Sequence, residues 1–360
     1  MNPVLAHVKP MALITIALIF LVLARESIAL KPPCRLEYGA PLLNAVADRK
    51  IQEVRELLSS GADPNVRVGD LNPLLLTFLR TSTTCRRHPP HVELFQILVS
   101  AGADVKADDL IYRAAESGDV EILQAAVNAG ASINAPSRRG GTPLTAAIQQ
   151  GKSDAVKFLL VAGVDPNQVI RFPGSSSART ALHDAARRPG PENLIAKLLV
   201  AHGAKYQINN QYGPFYDLSR FYMEPKGDIG ELIDLFIKVG GDINEEADPR
   251  RQMLSGLMTV PPVHTPLNVG LISTLAPREV FEAMLKKGAN PNKGALYALA
   301  GRRDYANVPL KRKDLLRLLF QFGARPDLTP TVGNTGVLEA AGLNFPEYAR
   351  ELNEILKDYQ

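Results

Sequence analysis

The stretch "CRRHPPH" (85–91) sets Cys85, His88 and His91 three residues apart, a spacing at which thiolate and imidazole groups could share a zinc ion. A structural zinc site takes four ligands, and the chain offers no second cluster to complete this one. The segment is therefore expected to be an exposed loop. His202 stands beside a helix ending and His183 inside a recurring helix start, so neither is placed to act as a general base. The hydroxyls of "GSSS" (174–177) lack the G-x-S-x-G elbow of an activated serine, and no Gly-rich phosphate loop follows a strand. These patterns name no catalytic residue, no metal and no cofactor, and a non-enzymatic role is expected. What remains is a pair of cysteines, Cys34 and Cys85, expected to form a disulfide.

The elements that would hold such residues announce themselves by repetition. "LLVAGVDPN" (159–167) has close copies in "LLSSGADPN" (57–65), "FIKVGGDIN" (236–244) and "MLKKGANPN" (284–292). Each copy closes an apolar stripe and then supplies a Gly able to turn left-handed. Turn-forming residues and a Pro that forbids continuation follow. The stop Gly recurs at 61, 102, 130, 163, 203, 240, 288 and 323, at intervals between 28 and 48. Such spacing is the mark of a stacked repeat array with insertions. The apolar residues Val54, Leu57, Leu58 and Val156, Leu159, Leu160 fall at helical period.

The full unit "GTPLTAAIQQGKSDAVKFLLVAGVDPN" (141–167) resembles an ankyrin repeat along its whole length. "RTALHDAARRPGPENLIAKLLVAHGA" (179–204) and "HTPLNVGL" (264–271) repeat its opening. The resemblance spans roughly 40–345 and implies an all-α solenoid of about eight repeats with a C-terminal capping helix. It also implies that Thr142 and Thr180 cap first helices, that His183 bonds within and between repeats, and that the array binds another protein. The short Gly102–Gly130 interval leaves no room for a full turn between repeats, though "DDLIYRAAESGDVEILQAAV" still reads as two helices. The last helix should bury Tyr348, Leu352, Ile355 and Leu356 and expose Glu347, Arg350, Glu351, Glu354 and Lys357.

Residues 1–29 stand apart. Lys9 precedes the apolar run "MALITIALIFLVL" (11–23), whose 13 residues fall short of the ~20 that a spanning helix needs. The run fits a signal-peptide core with cleavage after Ala24 or Ala29. No Asn begins an N-x-[ST] sequon, and a Gram-negative periplasm is the expected compartment. The formal charge of +4 becomes 39 basic against 36 acidic residues once Lys9, Arg25 and Glu26 are removed. That balance does not suggest a nucleic-acid binder. The domain reading is a signal peptide (1–29), an N-terminal segment (30–40), a repeat array (41–334) and a cap (335–360). Insertions fall near 80–91, 168–179, 206–230 and 245–263.

Two features point to a partner surface. Basic residues recur on the turns between repeats, here called fingers: Arg138 and Arg139, then Arg171 and Arg179, then Arg250 and Arg251. The insertion "YQINNQYGPFYDLSRFYMEPKGDIG" (206–230) holds six of the chain's 22 aromatics within 17 residues. Phe215 and Leu218 suit a core, whereas Tyr212, Tyr216 and Tyr222 are expected to be exposed anchors for a protein partner. Arg138, Arg139 and Arg171 would serve as rim charges. The expected function is an exported protein-binding scaffold, either an immunity protein occluding a toxic effector or an accessory of a periplasmic enzyme or envelope assembly. An enzyme with a grafted site is the less favoured alternative.

Overall fold

The fold is that of a computed structural model, which describes residues 39–78, 91–106, 109–138, 140–171, 178–188, 191–206, 213–221, 227–246, 265–272, 276–300, 311–326 and 346–359. The chain divides into two compact units, residues 1–103 and 104–360. In the first, α1 (Pro41–Ala47) pairs with α2 (Ile51–Ser59), and the short α3 (Pro73–Leu76) pairs with α4 (Val92–Ser100). The second begins with α5 (Leu110–Ser117) and α6 (Val120–Asn128), then α7 (Pro143–Gln149) and α8 (Ser153–Val161). It continues with α9 (Ala181–Arg187) and α10 (Leu194–Ala201), α11 (Pro214–Phe221) and α12 (Ile229–Lys238), and α13 (Pro266–Ile272) and α14 (Arg278–Lys286). The pair α15 (Ala295–Ala300) and α16 (Arg312–Gln321) precedes a final helix, α17 (Pro346–Leu356). Within this unit the first helices of successive pairs pack on one another from α5 through α15, and the second helices likewise from α6 through α14.

Local chemistry explains the periodicity. α7 starts on a capping box: the Thr145 backbone N–H donates to Thr142 Oγ1 at 3.3 Å, and the Thr142 N–H donates to Thr145 Oγ1 at 2.9 Å. Pro143 sits at the start, where its missing N–H costs nothing. At α9 the ring of His183 replaces the second hydroxyl, with Nδ1 at 3.2 Å from the Thr180 N–H and 2.9 Å from Thr180 Oγ1. At the other end of each pair, the eight stop glycines all hold positive φ, between 82° and 100°.

The residues after the stop do more than turn. In four copies the Asp or Asn two residues on from the Gly accepts from the backbone N–H of the Asn that follows, as Asp63 does from Asn65 at 2.8 Å. That Asn is thereby aimed at the next repeat. Asn65 Nδ2 donates to the Gly102 carbonyl, Asn167 to Gly203, Asn244 to Gly288 and Asn292 to Gly323, at 2.9–3.1 Å. Three of these amides also accept the backbone N–H two residues past the following stop, from Lys205, Asn290 and Arg325. One polar side chain thus fixes the spacing between consecutive stops.

The final helix is as expected at its core, with Tyr348, Leu352 and Ile355 buried and Leu356 half-buried. Its glutamates are not simply solvated, however. Arg312 and Lys313 open α16 and pair with Glu351 at 2.7 Å and Glu354 at 3.0 Å. Two cations at a helix N-terminus oppose the helix dipole, and the neighbouring carboxylates offset that. Arg312 also lies 5.5 Å from the Tyr348 ring centre, and the Tyr348 hydroxyl donates to the Leu296 carbonyl.

Candidate protein-interaction site

The aromatic insertion turns inward. Phe215 and Leu218 are fully buried as expected, but Tyr216 is only 4% exposed, which corrects its placement as a partner anchor. It packs against Val269 of α13, and its hydroxyl donates to the Glu245 carbonyl at 3.2 Å. Helix α11 is covered by its own partner α12 and by first helices on both sides, so its successive residues 215–219 are all buried. Counting one buried face of a helix understates this. Tyr212 and Tyr222 lie outside the described residues.

Beside Tyr216 the insertion builds a polar knot. Tyr206 lies with its ring centre 5.3 Å from that of Phe215, and its hydroxyl donates to Glu245 Oε1 at 2.6 Å. A methyl at Gly213 would come within 2.5 Å of the same carboxylate oxygen, and one at Gly241 within 2.8 Å of the Tyr206 ring. Glu245 Oε2 has no hydrogen-bond partner among the described residues. Burial pushes the Glu245 carboxyl up to about 7, against the lowering effect of the Tyr206 hydroxyl. The knot closes a repeat junction.

The sequence-named arginines separate. Arg138 is exposed, and its backbone N–H donates to the Asp109 carboxylate at 3.0 Å. Arg139 lies outside the described residues, as do Cys34, Cys85 and His88. His91 caps α4, its Nδ1 accepting the Leu94 N–H at 3.3 Å, which is a structural use of that imidazole. The 168–179 insertion begins and ends as an antiparallel ribbon, β1 (Ile170–Arg171) with β2 (Ala178–Arg179). Its register pairs Ile170 with Arg179 and Arg171 with Ala178, so the two arginines leave opposite faces of the ribbon. Arg171 is exposed to solvent. Arg179 turns to α9.

There it joins a cleft of about 320 Å³ lined by Gln149, Gln150, Arg179, Asp184, Arg187 and Arg188. Asp184, 3% exposed, forms its floor. Arg179 Nη1 lies 3.6 Å from Asp184 Oδ1, and Gln149 Nε2 donates to Oδ2 at 3.4 Å. Burial raises the Asp184 carboxyl above the usual range, opposed by Arg179, Gln149 and Arg188. Arg188 Nη1 donates to the Gln149 carbonyl at 2.6 Å, and Arg187 Nε lies 4.0 Å from Asp217 of α11. Side chains from three successive first helices are thus tied into one network. Three guanidinium groups against the buried carboxylates of Asp184 and Asp217 leave the cleft with a net positive charge. No group of three or more His, Cys, Asp or Glu able to hold a metal occurs among the described residues.

The profile for ankyrin repeats (3 copies) matches residues 82–170 and 110–210. Human cyclin-dependent kinase inhibitor 2A is 30% identical over 117 residues, which cover 32% of this chain and 69% of that protein. The chain belongs to the ankyrin-repeat family. BRCA1-associated RING domain protein 1 of Caenorhabditis elegans is 31% identical over 108 residues, 30% of this chain, and the chain spans only 14% of that relative's length. The human ASB11 ankyrin repeat domain has a TM-score of 0.48 at 20% identity, covering 68% of this chain and 96% of that one. An ankyrin array is a scaffold for protein–protein interaction, typically without catalysis, and the clamped repeats and cationic cleft described above are read in that light. No sequence signal had singled out the cleft. Arg187-Arg188 after "LHDAA" and the Asp within it were legible as charges, but their convergence with Gln149 and Arg179 depends on how the repeats stack.

Proposed function

We propose that this ankyrin-repeat protein is exported to a bacterial envelope compartment and there occludes a protein partner, as an immunity protein does with a toxic effector. The apolar core at 11–23 with its small-residue cleavage options supports export. The cationic cleft on the first-helix face carries the binding reading, because its side chains are held in place by neighbouring repeats before any partner arrives. The human relative's name describes a kinase inhibitor, and what we carry over is inhibition of another protein, without the kinase. We assign no catalytic group. The test is purification of the chain from a periplasmic extract, with its intact mass and the identity of any co-purifying protein. A mass starting at Arg25 or Leu30, with a partner whose own activity the chain suppresses, is the expected result. A partner whose activity the chain raises would replace occlusion by an accessory role. A cytoplasmic chain starting at Met1 would overturn export.

A further inference from the structure

We propose that the cleft lined by Arg179, Arg187 and Arg188 seats an acidic segment of the protein partner, an inference that rests on the scaffold reading above and names the chemistry of what it binds. Three observations converge on this. First, the charge is one-sided: three guanidinium groups and two glutamine amides line the cleft with the Asp184 carboxylate on its floor, and Asp217, 4.0 Å from Arg187, is the second carboxylate they meet, which leaves one positive charge in excess. Each guanidinium presents a planar fork that fits a carboxylate with two parallel hydrogen bonds. Second, one fork is braced and still accessible. Arg188 is exposed, and its bond to the Gln149 carbonyl uses one of its five N–H donors. Third, the position of Asp184 explains why these arginines do not scatter into solvent. Its buried carboxylate draws Arg179 inward from the ribbon and takes Gln149 from the preceding repeat, while Asp217 lies near Arg187 from the following one. Orientation is thus built before binding, which reduces the ordering cost of association. The cleft volume of about 320 Å³ suits one or two side chains of an extended segment, not a folded domain. Arg138 and Arg171, each on a finger, do not line the cleft.

The test uses the full-length chain and a displayed library of random dodecapeptides. Peptides selected on the parent protein are then titrated by fluorescence anisotropy against three proteins: the parent, Arg187→Gln/Arg188→Gln, and Lys157→Gln/Lys238→Gln, whose two lysines are exposed on α8 and α12 away from the cleft. Arg179 is left intact because it faces the buried Asp184, and circular dichroism confirms that each variant is folded. The expected result is enrichment of Asp and Glu, binding that weakens in about 300 mM NaCl, and a loss of about tenfold or more in the cleft variant alone. Arg187→Lys/Arg188→Lys should restore only part of it, since an ammonium lacks the fork. Selection of apolar or basic peptides, recovery of no acidic binder, or equal binding by parent and cleft variant would each overturn the proposal. So would preference for a phosphopeptide or an oligonucleotide over the acidic peptide. If a protein co-purified from cells is held equally by parent and cleft variant, the cleft is wrong while the scaffold reading stands.

Discussion

Glu245 shows how a single residue can report the integrity of a repeat junction. Burial raises its folded-state carboxyl from 4.5 to about 7, so the folded chain holds the proton more tightly than the unfolded chain does. The stability this contributes is fully present below about pH 4.5 and is lost as pH rises through 7, a window worth roughly 3 kcal/mol at most. Glu245→Gln keeps an acceptor for the Tyr206 hydroxyl and removes the charge. It should flatten this part of the pH profile and unfold later than the parent at pH 8 in thermal melts. A variant that shifts the melting curve equally at pH 5 and pH 8 would mean that the carboxyl does not titrate across the window. The Asn clamps give a second test. Asn167→Ala removes bonds to the Gly203 carbonyl and the Lys205 N–H, and should cost about 1–2 kcal/mol by denaturant unfolding despite the site's exposure. Sequence alone made Asp and Asn turn residues, which is half of their role; the other half spans more than thirty residues and exists only once repeats stack. Tyr216 was misread for a related reason, because covering a helix on several sides depends on neighbours that the local pattern does not contain.

At the scale of the element, the helix endings were the most legible feature, since a Gly before D-x-N in several copies states a left-handed turn in the chain itself. Gly240 has φ of 100° and nothing within 4 Å of an added methyl, so any cost of Gly240→Ala comes from the backbone. That cost should be about 1–2 kcal/mol, and Gly240→Asn should recover part of it, both measured by chemical denaturation. Equal stability of parent and Ala variant would show that the turn relaxes freely. The first-helix starts were equally legible, Thr142 with Pro143 and Thr180 with His183. The pairing of α16 with α17 was not, because a run of basic residues looks solvated until the carboxylates of another helix are brought beside it. The ribbon of β1 and β2 is not legible in the sequence either, its alternation being only two residues long on each side.

For the whole molecule, the eight helix pairs described follow the eight stops that the sequence spells out. The location of the binding surface did not follow in the same way. Aromatic content pointed to the 206–230 insertion, whereas burial there leaves the cationic cleft between α7 and α9 as the better seat. Cys34 and Cys85 bear on the first unit, and a disulfide between them would close a loop worth roughly 4 kcal/mol on the chain-entropy model. Thiol counting on denatured, unreduced protein should find none free, and two free thiols would rule the bridge out. The central claim is that this protein works by holding a protein partner on its first-helix face. Site-specific photocrosslinking tests it most directly, with a benzophenone side chain placed at Gln150 in the cleft or at Val161, which is 71% exposed on the outer helix α8. In living cells the Gln150 probe should give one dominant protein adduct in the envelope fraction and the Val161 probe none. Adducts of equal yield from both positions, or from Val161 alone, would contradict it.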